Sequence, residues 1–493
     1  MWESAADTAT ITWAGLHQAE RQHATTGGCT HPIQLRGRID AIDLGTGELA
    51  PVYDSATEPG GVLLTACGNR RETVCPSCSA VYKRDARQLV RAGLSGGKGI
   101  PEAITGHPCV FATLTAPSFG PVHARRMRGT TVLPCRPRRD ASARRCPHGR
   151  DISCAKRHQP GDPRLGHPMC ADCYDYTAAV LFNAHAADLW RRFTTYLPRH
   201  FARLTGLSLK QLRELVAIRY VKVAEYQARG AVHFHAIIRL DGVTIRDEII
   251  RTSRGTKVRR VIVDEGPDND YRPPPPGFTA AMLCDAITQA AKAVAYTTDP
   301  APGCPPVTLR FGAQTEPRAI RHSPGLPGTG HALGVQAVAN YIAKYATKAL
   351  DAPGIPDQPI RSALDLENLR CSAHYRQMIL TAWRLGGGKL GPTHSRLCKW
   401  AHMLGYGGHF LTKSRRYSVT FGQLRAARTQ HRKQQRHPGG EHDPWGRPLD
   451  EHLVLVISTW TYTGTGYTTT PGADLAAASA ARARAYDPAV HAA

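Results

Sequence analysis

The alternation of apolar and polar residues between Tyr220 and Leu240 predicts a β-hairpin. Residues 220–226 are rich in Val and Tyr, Gln227–Gly230 has the composition of a tight turn, and residues 231–240 alternate strictly. The second strand has Val232, Phe234, Ala236, Ile238 and Leu240 on one face and His233, His235, Ile237 and Arg239 on the other. Two imidazoles therefore point the same way, one pleat apart.

This spacing predicts a site for a divalent cation. If the turn is centred near Arg229, Glu225 lies across the hairpin from His233 with its side chain on the same face. Two neutral imidazoles and a carboxylate make a half-open site that leaves positions for water or a phosphate oxygen. Gln227 is the alternative to Glu225. The competing interpretation is an ordinary polar sheet face, since the chain contains 23 His.

A helix is predicted over Val335–Leu350, because apolar residues recur there at helical spacing, and Asp351–Gly354 is expected to end it. On one face of this helix lie Tyr341, Tyr345 and Lys348, and Lys344 flanks them. A phenolic oxygen can act as a covalent nucleophile if a neighbouring cation assists it. The alternative is that both tyrosines pack into a core while the lysines extend to solvent.

Together, His233-Phe234-His235 and Tyr341–Lys348 resemble the motifs of the HUH endonucleases, which nick one DNA strand and stay attached to it through a tyrosine. The Tyr-x3-Tyr-x2-Lys spacing resembles the two-tyrosine branch of rolling-circle initiators. Phe111–Thr115 resembles the first motif of that class, a strand beside the histidine strand. The further segments Thr113–His123, Cys170–Asn183 and Leu404–Tyr417 resemble the replication initiators of actinobacterial plasmids and integrative elements (RepSA-like).

The resemblance, which covers roughly Cys67 to Phe421, implies an α+β fold with an antiparallel, ferredoxin-like HUH nuclease sheet. It implies Mg²⁺ or Mn²⁺ held by His233, His235 and Glu225. It also implies that a tyrosine attacks phosphorus, which leaves a 5′-phosphotyrosyl strand and a 3′-hydroxyl primer. Tyr341 with Lys344 and Tyr345 with Lys348 fit the nucleophile equally, and the second tyrosine could close the displaced circle.

Composition agrees with a nucleic-acid partner. The chain has 493 residues and a formal charge of +24, with a pI of about 9.8, so it is expected to form several domains and to bind a polyanion. No apolar run approaches the length of a membrane span, and the N-terminus lacks the features of a signal peptide, so a cytoplasmic protein is predicted. No nucleotide-binding motif is visible, so a host helicase and polymerase are expected partners.

The cysteines predict structural zinc, since disulfides are rare in a reducing compartment. Cys75 and Cys78 form a Cys-x2-Cys knuckle, and Cys67 is the predicted third ligand. Either Cys29 or Cys109 could be the fourth. The alternative is a set of buried thiols.

A second ligand cluster lies in an arginine-rich insertion at about 135–175. For one zinc ion there, the predicted ligands are Cys146, Cys154, Cys170 and Cys173, with His148 and His158 as alternatives and Cys135 and His167 as further candidates. The arginines of this insertion are expected to hold duplex or hairpin DNA.

Near the C-terminus, cations are interleaved with aromatic residues, a pattern that suits single-stranded DNA. The predicted contacts are Lys413, Arg415, Arg416 and Tyr417. The alternative is a glycine-rich turn between helices. The predicted domains are residues 1–105 with the Cys knuckle, 106–352 with the HUH nuclease, and 353–493 with a basic DNA-binding region.

The sequence thus predicts an initiator that nicks an origin for rolling-circle replication. Two alternatives are open. One is another HUH enzyme, a relaxase or a transposase, which shares the chemistry. The other is a non-catalytic, zinc-containing DNA-binding regulator in which the histidines merely pack.

Overall fold

The structure, a computed structural model, describes residues 13–138, 140, 144–252, 255–263, 271–300, 305–320, 334–347, 355–356, 358–387, 397–436, 442–450 and 452–485. This part of the chain is a mixed α+β structure whose strands all pair antiparallel, which confirms the predicted class at that level. None of its helices combines the length and apolarity that a membrane span needs.

The helices are α1 (Trp13–Thr26), α2 (Pro76–Ser95), α3 (Tyr176–Leu204), α4 (Leu209–Leu215), α5 (Ala280–Ala293), α6 (Val335–Thr347), α7 (Ala363–Glu367), α8 (Ala373–Gly386), α9 (Phe421–Arg436) and α10 (Thr470–Ala485). The strands are β1 (Ile33–Asp43), β2 (Leu49–Asp54), β3 (Leu63–Thr65), β4 (Cys109–Leu114), β5 (Arg126–Arg128), β6 (Thr131–Leu133), β7 (Val216–Tyr226), β8 (Val232–Gly242), β9 (Thr244–Thr252), β10 (Gly255–Val263), β11 (Ala295–Thr297), β12 (Thr308–Arg310), β13 (Thr315–Ala319), β14 (Leu411–Lys413) and β15 (Val454–Thr465).

The described residues form two compact units. Unit 1 comprises those up to Ala86 together with those from Thr420 onward, and unit 2 comprises those from Arg87 to Val419. Unit 2 contains residues from all three predicted domains, 1–105, 106–352 and 353–493. That division of the chain stays a prediction.

Unit 1 is organised around strand β1. One edge of β1 pairs along its full length with β15, from Ile33 opposite Thr465 to Asp43 opposite Val454, and its other edge is shared by β2 and β3. Helices α1 and α10 contact each other in the same unit. The two ends of the chain therefore contribute to one sheet.

The sheet of unit 2 carries the predicted site. Its strand order is β13-β4-β8-β7-β14. Along the chain, its main elements follow as β4, α3, β7, β8, α5 and β13, a β-α-β-β-α-β succession that places the first strand, β4, beside the third, β8. The expectation of a strand around Phe111–Thr115 beside the histidine strand is confirmed by this pairing.

The hairpin of β7 and β8 forms as the alternation predicts. The two strands pair from Val216 opposite Gly242 to Tyr226 opposite Val232. In the turn, the amide of Gln227 donates to the carbonyl of Ala231 at 2.9 Å. This register places Glu225 directly opposite His233, which confirms the predicted pairing.

Both faces of this sheet are covered. One face packs on a core that includes Phe234, Ala236 and Ile238 of β8 together with side chains of α3 and α5. The opposite face carries the histidines, and α6 contacts β7 there. Strand β8 is therefore buried along nearly its whole length, and the histidine face is not a solvated one.

The insertion between β4 and α3 is built differently. Apart from the three-residue strands β5 and β6, its described residues form only isolated bridges. Between Pro121 and Cys173, the buried non-polar residues of the described chain are three cysteines, namely Cys135, Cys146 and Cys170. A segment with so few buried aliphatic side chains has no hydrophobic core of its own to stabilise it.

Candidate active site and metal-ligand clusters

Three predicted ligands converge on the hairpin. The carboxylate Oε2 of Glu225 lies 2.8 Å from Nε2 of His233 and 3.0 Å from Nε2 of His235. One ligand atom from each residue lies within 4.8 Å of the other two. A cation placed between these atoms would have two nitrogen donors and one oxygen donor, a set that divalent transition metals such as Mn²⁺ accept in open sites.

The protonation of this cluster suits metal binding. Burial acts to raise the pKa of Glu225, but hydrogen bonds from both imidazoles outweigh it and lower the pKa to about 2. Burial also lowers the pKa of His235, which favours its neutral form. The hydroxyl of Thr113 lies 3.1 Å from Nδ1 of His235. With Nδ1 donating to that oxygen, Nε2 of neutral His235 has a free lone pair, so a metal ion would take the place of the hydrogen bond from Nε2 to Glu225.

Helix α6 brings the tyrosines to the same place. The phenolic oxygen of Tyr341 lies 3.2 Å from Nε2 of His235, and the Tyr341 side chain is 37% exposed. The ring of Tyr345 lies 4.5 Å from that of Tyr341 and 5.5 Å from that of His235. Burial, the neighbouring Tyr345 and the Glu225 charge all raise the pKa of Tyr341, so its deprotonation requires a positive charge nearby.

The remaining predicted residues of this site have different positions. Lys344 is exposed, and its ammonium group lies 5.8 Å from the centre of the Tyr345 ring. Lys348 lies outside the described residues. The side-chain oxygen of Gln227, the alternative metal ligand, accepts a hydrogen bond from Nε of Arg229 at 2.9 Å. Glu225 is therefore the residue that the structure brings to the two histidines.

Comparison with known proteins gives the family. A family model described as "RepSA: Replication initiator protein, pSAM2" matches residues 15–481. The chain belongs to the RepSA family of replication initiators. It is 42% identical over 468 residues to a replication initiator protein of Streptomyces ambofaciens, and the match covers 94% of this chain and 89% of that protein. No solved structure matches the chain significantly.

In unit 1 of this RepSA chain, four cysteines form one cluster. Cys67 Sγ lies 3.7 Å from Cys78 Sγ, and Cys75 Sγ lies 3.8 Å from Cys29 Sγ. Tetrahedral zinc with Zn–S bonds of about 2.3 Å places its sulfurs about 3.8 Å apart. Cys29 is thus the fourth member, whereas the other candidate, Cys109, lies buried in β4 of unit 2.

The insertion contains two clusters instead of the single one predicted. Cys146, Cys170 and Cys173 group with His148, whose Nδ1 lies 3.2 Å from Cys173 Sγ and 3.9 Å from Cys170 Sγ. The assignment of Cys154 to this group is wrong. Cys154 belongs to a separate cluster with three other side chains, His123, Cys135 and His158.

The physical reason for this correction is that the ligands of the two clusters alternate along the chain in pairs. Spacing in sequence cannot reveal which pairs meet when both groups come from one loop-rich segment. The sequence does not single out His123 as a ligand, because it lies outside the predicted boundary of the insertion, at the end of the Thr113–His123 segment. His167, a further candidate, packs its ring against His374 and Tyr375 instead.

The C-terminal DNA-contact prediction also needs a correction. Tyr417 is completely buried, and its hydroxyl donates to the carbonyl of Val90 at 3.3 Å, so its ring cannot stack on a base. Lys413 donates to the carbonyls of Arg415 and Ser418 at 2.8 Å each, and burial lowers its pKa to about 8. Arg415 is exposed and Arg416 half-buried, and their contact with DNA stays a prediction.

Proposed function

We propose that this RepSA chain starts rolling-circle replication by nicking one strand of its origin as an HUH endonuclease. The observation that carries the proposal is the convergence of Glu225, His233 and His235, with the phenolic oxygen of Tyr341 3.2 Å from a histidine nitrogen. Family membership supports the role in initiation and, with the charge of +24, binding to origin DNA. The β-α-β-β-α-β order of unit 2 supports the ferredoxin-like HUH assignment.

The proposed reaction is a transfer of a phosphodiester to a phenol. A Mg²⁺ or Mn²⁺ ion held by Glu225, His233 and His235 would polarise the scissile phosphate. The Tyr341 oxygen loses its proton to solvent and bonds to phosphorus. The bond from phosphorus to the 3′ oxygen breaks, and that oxygen takes up a proton. The products are a 5′-phosphotyrosyl strand and a free 3′-hydroxyl that a host polymerase can extend, with strand opening by a host helicase.

We assign Tyr341 to the first cleavage and Tyr345 to the closing step. Tyr341 is the tyrosine whose oxygen lies beside the metal-ligand cluster, and it is exposed enough for DNA to reach it. Tyr345 is adjacent through its ring, so it can approach the same phosphate position after the first product has formed. Lys344 lies next to Tyr345 in space and would screen the charge that develops on its oxygen.

Two structural zinc ions accompany this site in the proposal. One would be bound by the unit 1 cluster of Cys29, Cys67, Cys75 and Cys78. The other would be bound in the insertion by the cluster of Cys146, His148, Cys170 and Cys173. Both sets offer four donors with no position left for a substrate, which is typical of zinc that stabilises a fold.

The test is a nicking assay on a supercoiled plasmid that contains the origin. In Mg²⁺ the wild-type protein should convert it to an open circle and remain on the 5′ end, and mass spectrometry of the DNA-linked peptide should identify Tyr341. Tyr341→Phe should abolish the first nick, whereas Tyr345→Phe should still nick but fail to release closed circles. A mobility shift without any nick would instead indicate a non-catalytic regulator, and DNA linked to Tyr345 would reverse the two assignments.

A further inference from the structure

The second cluster of the insertion has the geometry of a metal site. It consists of His123, Cys135, Cys154 and His158, whose ligand atoms all lie within 4.8 Å of one another. Cys154 Sγ lies 3.6 Å from Nε2 of His158, and Cys135 Sγ lies 4.0 Å from Nδ1 of His123. Zinc with Zn–S bonds of about 2.3 Å and Zn–N bonds of about 2.0 Å places neighbouring sulfur and nitrogen ligands roughly 3.6 Å apart.

The groups behind these ligands are those that a metal site needs. Nδ1 of His158 donates to the carboxylate of Asp162 at 2.8 Å, and the His158 side chain is completely buried. This bond fixes the tautomer, so Nε2 presents its lone pair to the cluster. The amide of Ala124 donates to Cys135 Sγ at 3.2 Å, an arrangement that stabilises a thiolate.

The alternative to metal binding is that these thiols and imidazoles are simply buried as neutral side chains, and this alternative explains the cluster less well. A buried histidine and two thiols usually lie among aliphatic residues. Here the described residues between Pro121 and Cys173 bury no aliphatic side chain. The cluster therefore occupies the place of a core in this segment, which is the role of a structural metal in small, loop-rich regions.

We propose that His123, Cys135, Cys154 and His158 bind a third zinc ion, which closes the base of an arginine-bearing hairpin. His123 and Cys135 are the two ends of the loop that contains β5 and β6, and residues 124–131 of this loop are all exposed. Two strands of three residues without a buried face are unstable alone. The ion holds the ends of the loop together and thereby fixes Arg125, Arg126 and Arg128 in a position to contact phosphates.

The same ion also fastens the insertion internally. Its ligands are interleaved with those of the neighbouring cluster, in the order His123, Cys135, then Cys146 and His148, then Cys154 and His158, then Cys170 and Cys173. Each ion therefore closes a loop that contains two ligands of the other. Loss of either ion lengthens the unrestrained loop around the second one, so the two sites are expected to support each other.

Zinc content measured on the full-length protein tests the proposal. Wild-type protein purified without added metal should release three zinc ions per chain after denaturation. The double variant Cys135→Ser/His158→Ala should release at most two. Cys284→Ser is the matched control, since this half-buried cysteine on α5 is outside the four clusters, and it should retain three. A wild-type content of two that the double variant leaves at two would overturn the proposal.

Zinc X-ray absorption of the wild-type protein tests it without any variant, so misfolding of the double variant cannot obscure the result. Three filled sites provide nine sulfur and three nitrogen ligands, an average of three sulfurs and one nitrogen per ion. If only the other two clusters bind zinc, seven sulfurs and one nitrogen are shared by two ions. A spectrum fitted by three and a half sulfurs per ion would therefore contradict the third site.

Discussion

The histidine hairpin and the cysteine clusters are two kinds of candidate metal site in one chain, and their donors differ in number and type. The hairpin presents one carboxylate and two imidazoles, with a partly exposed tyrosine beside them. Each cysteine cluster presents four donors, at least two of them sulfur. Three hard or borderline donors leave positions for a substrate, whereas four donors with thiolates enclose zinc completely. The donor set of the hairpin therefore favours a site for chemistry, and the donor sets of the cysteine clusters favour structural metal sites.

The surroundings of the sites differ as well. Glu225, His233 and His235 lie on paired strands whose sheet is covered on both faces, so packing holds them whether or not a metal is bound. The candidate ligands of the insertion lie on segments whose described residues bury no aliphatic side chain. Removal of metal should therefore leave the hairpin folded and disorganise the insertion.

The largest expected effect on stability follows from removal of one cysteine from the four-cysteine cluster of unit 1. Cys75→Ser removes a fully buried candidate zinc ligand from the unit 1 cluster. Structural zinc contributes an apparent binding free energy of about 10–16 kcal/mol, which is comparable to the whole stability of a domain. We expect loss of one zinc ion and loss of cooperative unfolding of unit 1, measured by metal content and circular dichroism. Cys398→Ser, outside the clusters, is the control, and a fully folded Cys75→Ser protein would place this cluster among ordinary buried thiols.

Removal of one ligand from the hairpin site should have the opposite effect, a loss of activity without a loss of stability. His233→Ala removes one of the two nitrogen donors, and loss of several kcal/mol of transition-state stabilisation lowers nicking about 10³-fold. Its zinc content, melting temperature and DNA binding should stay close to those of the wild type, because the sheet holds the site. The control is His409→Ala, which changes an exposed histidine. Undiminished nicking by His233→Ala would refute the metal assignment.

A third prediction concerns the contact between the two regions. Gly166, in the insertion, has φ of +82°, and a Cβ there would lie 2.1 Å from backbone atoms of Ala228 in the hairpin turn. Gly161 has nearly the same φ, +83°, but a Cβ there would meet nothing within 4 Å. Both Gly166→Ala and Gly161→Ala should introduce backbone strain, because both positions have positive φ. Gly166→Ala should destabilise unit 2 by about 3 kcal/mol more, because its Cβ also overpacks against Ala228.

Chemical denaturation of both variants measures this difference, and nicking assays show whether the insertion positions the hairpin. Because the turn at Ala228 connects the strands that carry Glu225 and His233, displacement of the turn should also lower nicking in Gly166→Ala alone. Equal stability of the two variants would mean that the insertion moves freely away from the turn.

Much of the hairpin could be predicted from the sequence because its information is local. Strict alternation and a four-residue turn fix the register, so the pairing of Glu225 with His233 follows from counting. The helical spacing of Tyr341 and Tyr345 is equally local. That these tyrosines face His235 came from family resemblance, since periodicity gives no distance between a strand and a helix a hundred residues apart.

The insertion and unit 1 could not be predicted in this way. In the insertion, the division of eight interleaved candidate ligands into two clusters depends on how the loops cross, which spacing in the sequence does not encode. In unit 1, the pairing of β1 with β15 joins residues more than 400 positions apart. Tyr417 illustrates the same limit, because its basic neighbours indicated DNA contact, whereas burial against the backbone of Val90 decides its role.

The smallest expected effect concerns buried charge, another contrast between the regions. The insertion exposes its arginines at positions 125, 126 and 128, whereas the hairpin buries Lys222. The Lys222 amino group donates to the carbonyl of His409 at 3.0 Å and lies 4.5 Å from the centre of the Phe234 ring, contacts that favour its charged form. Burial outweighs them and lowers the pKa of Lys222 to about 7.

Between pH 7 and about 10, the unfolded chain keeps the Lys222 proton that the folded chain has released, so stability should rise with pH. From pH 7 to pH 8 this contribution is about 1 kcal/mol. Lys222→Met should lack this contribution, whereas the control Lys210→Met, at an exposed lysine, should keep the pH dependence of the wild type. Urea denaturation of the three proteins at both pH values measures the difference. Parallel pH dependence in wild type and Lys222→Met would mean that the buried amine stays charged, held by the His409 carbonyl and the Phe234 face.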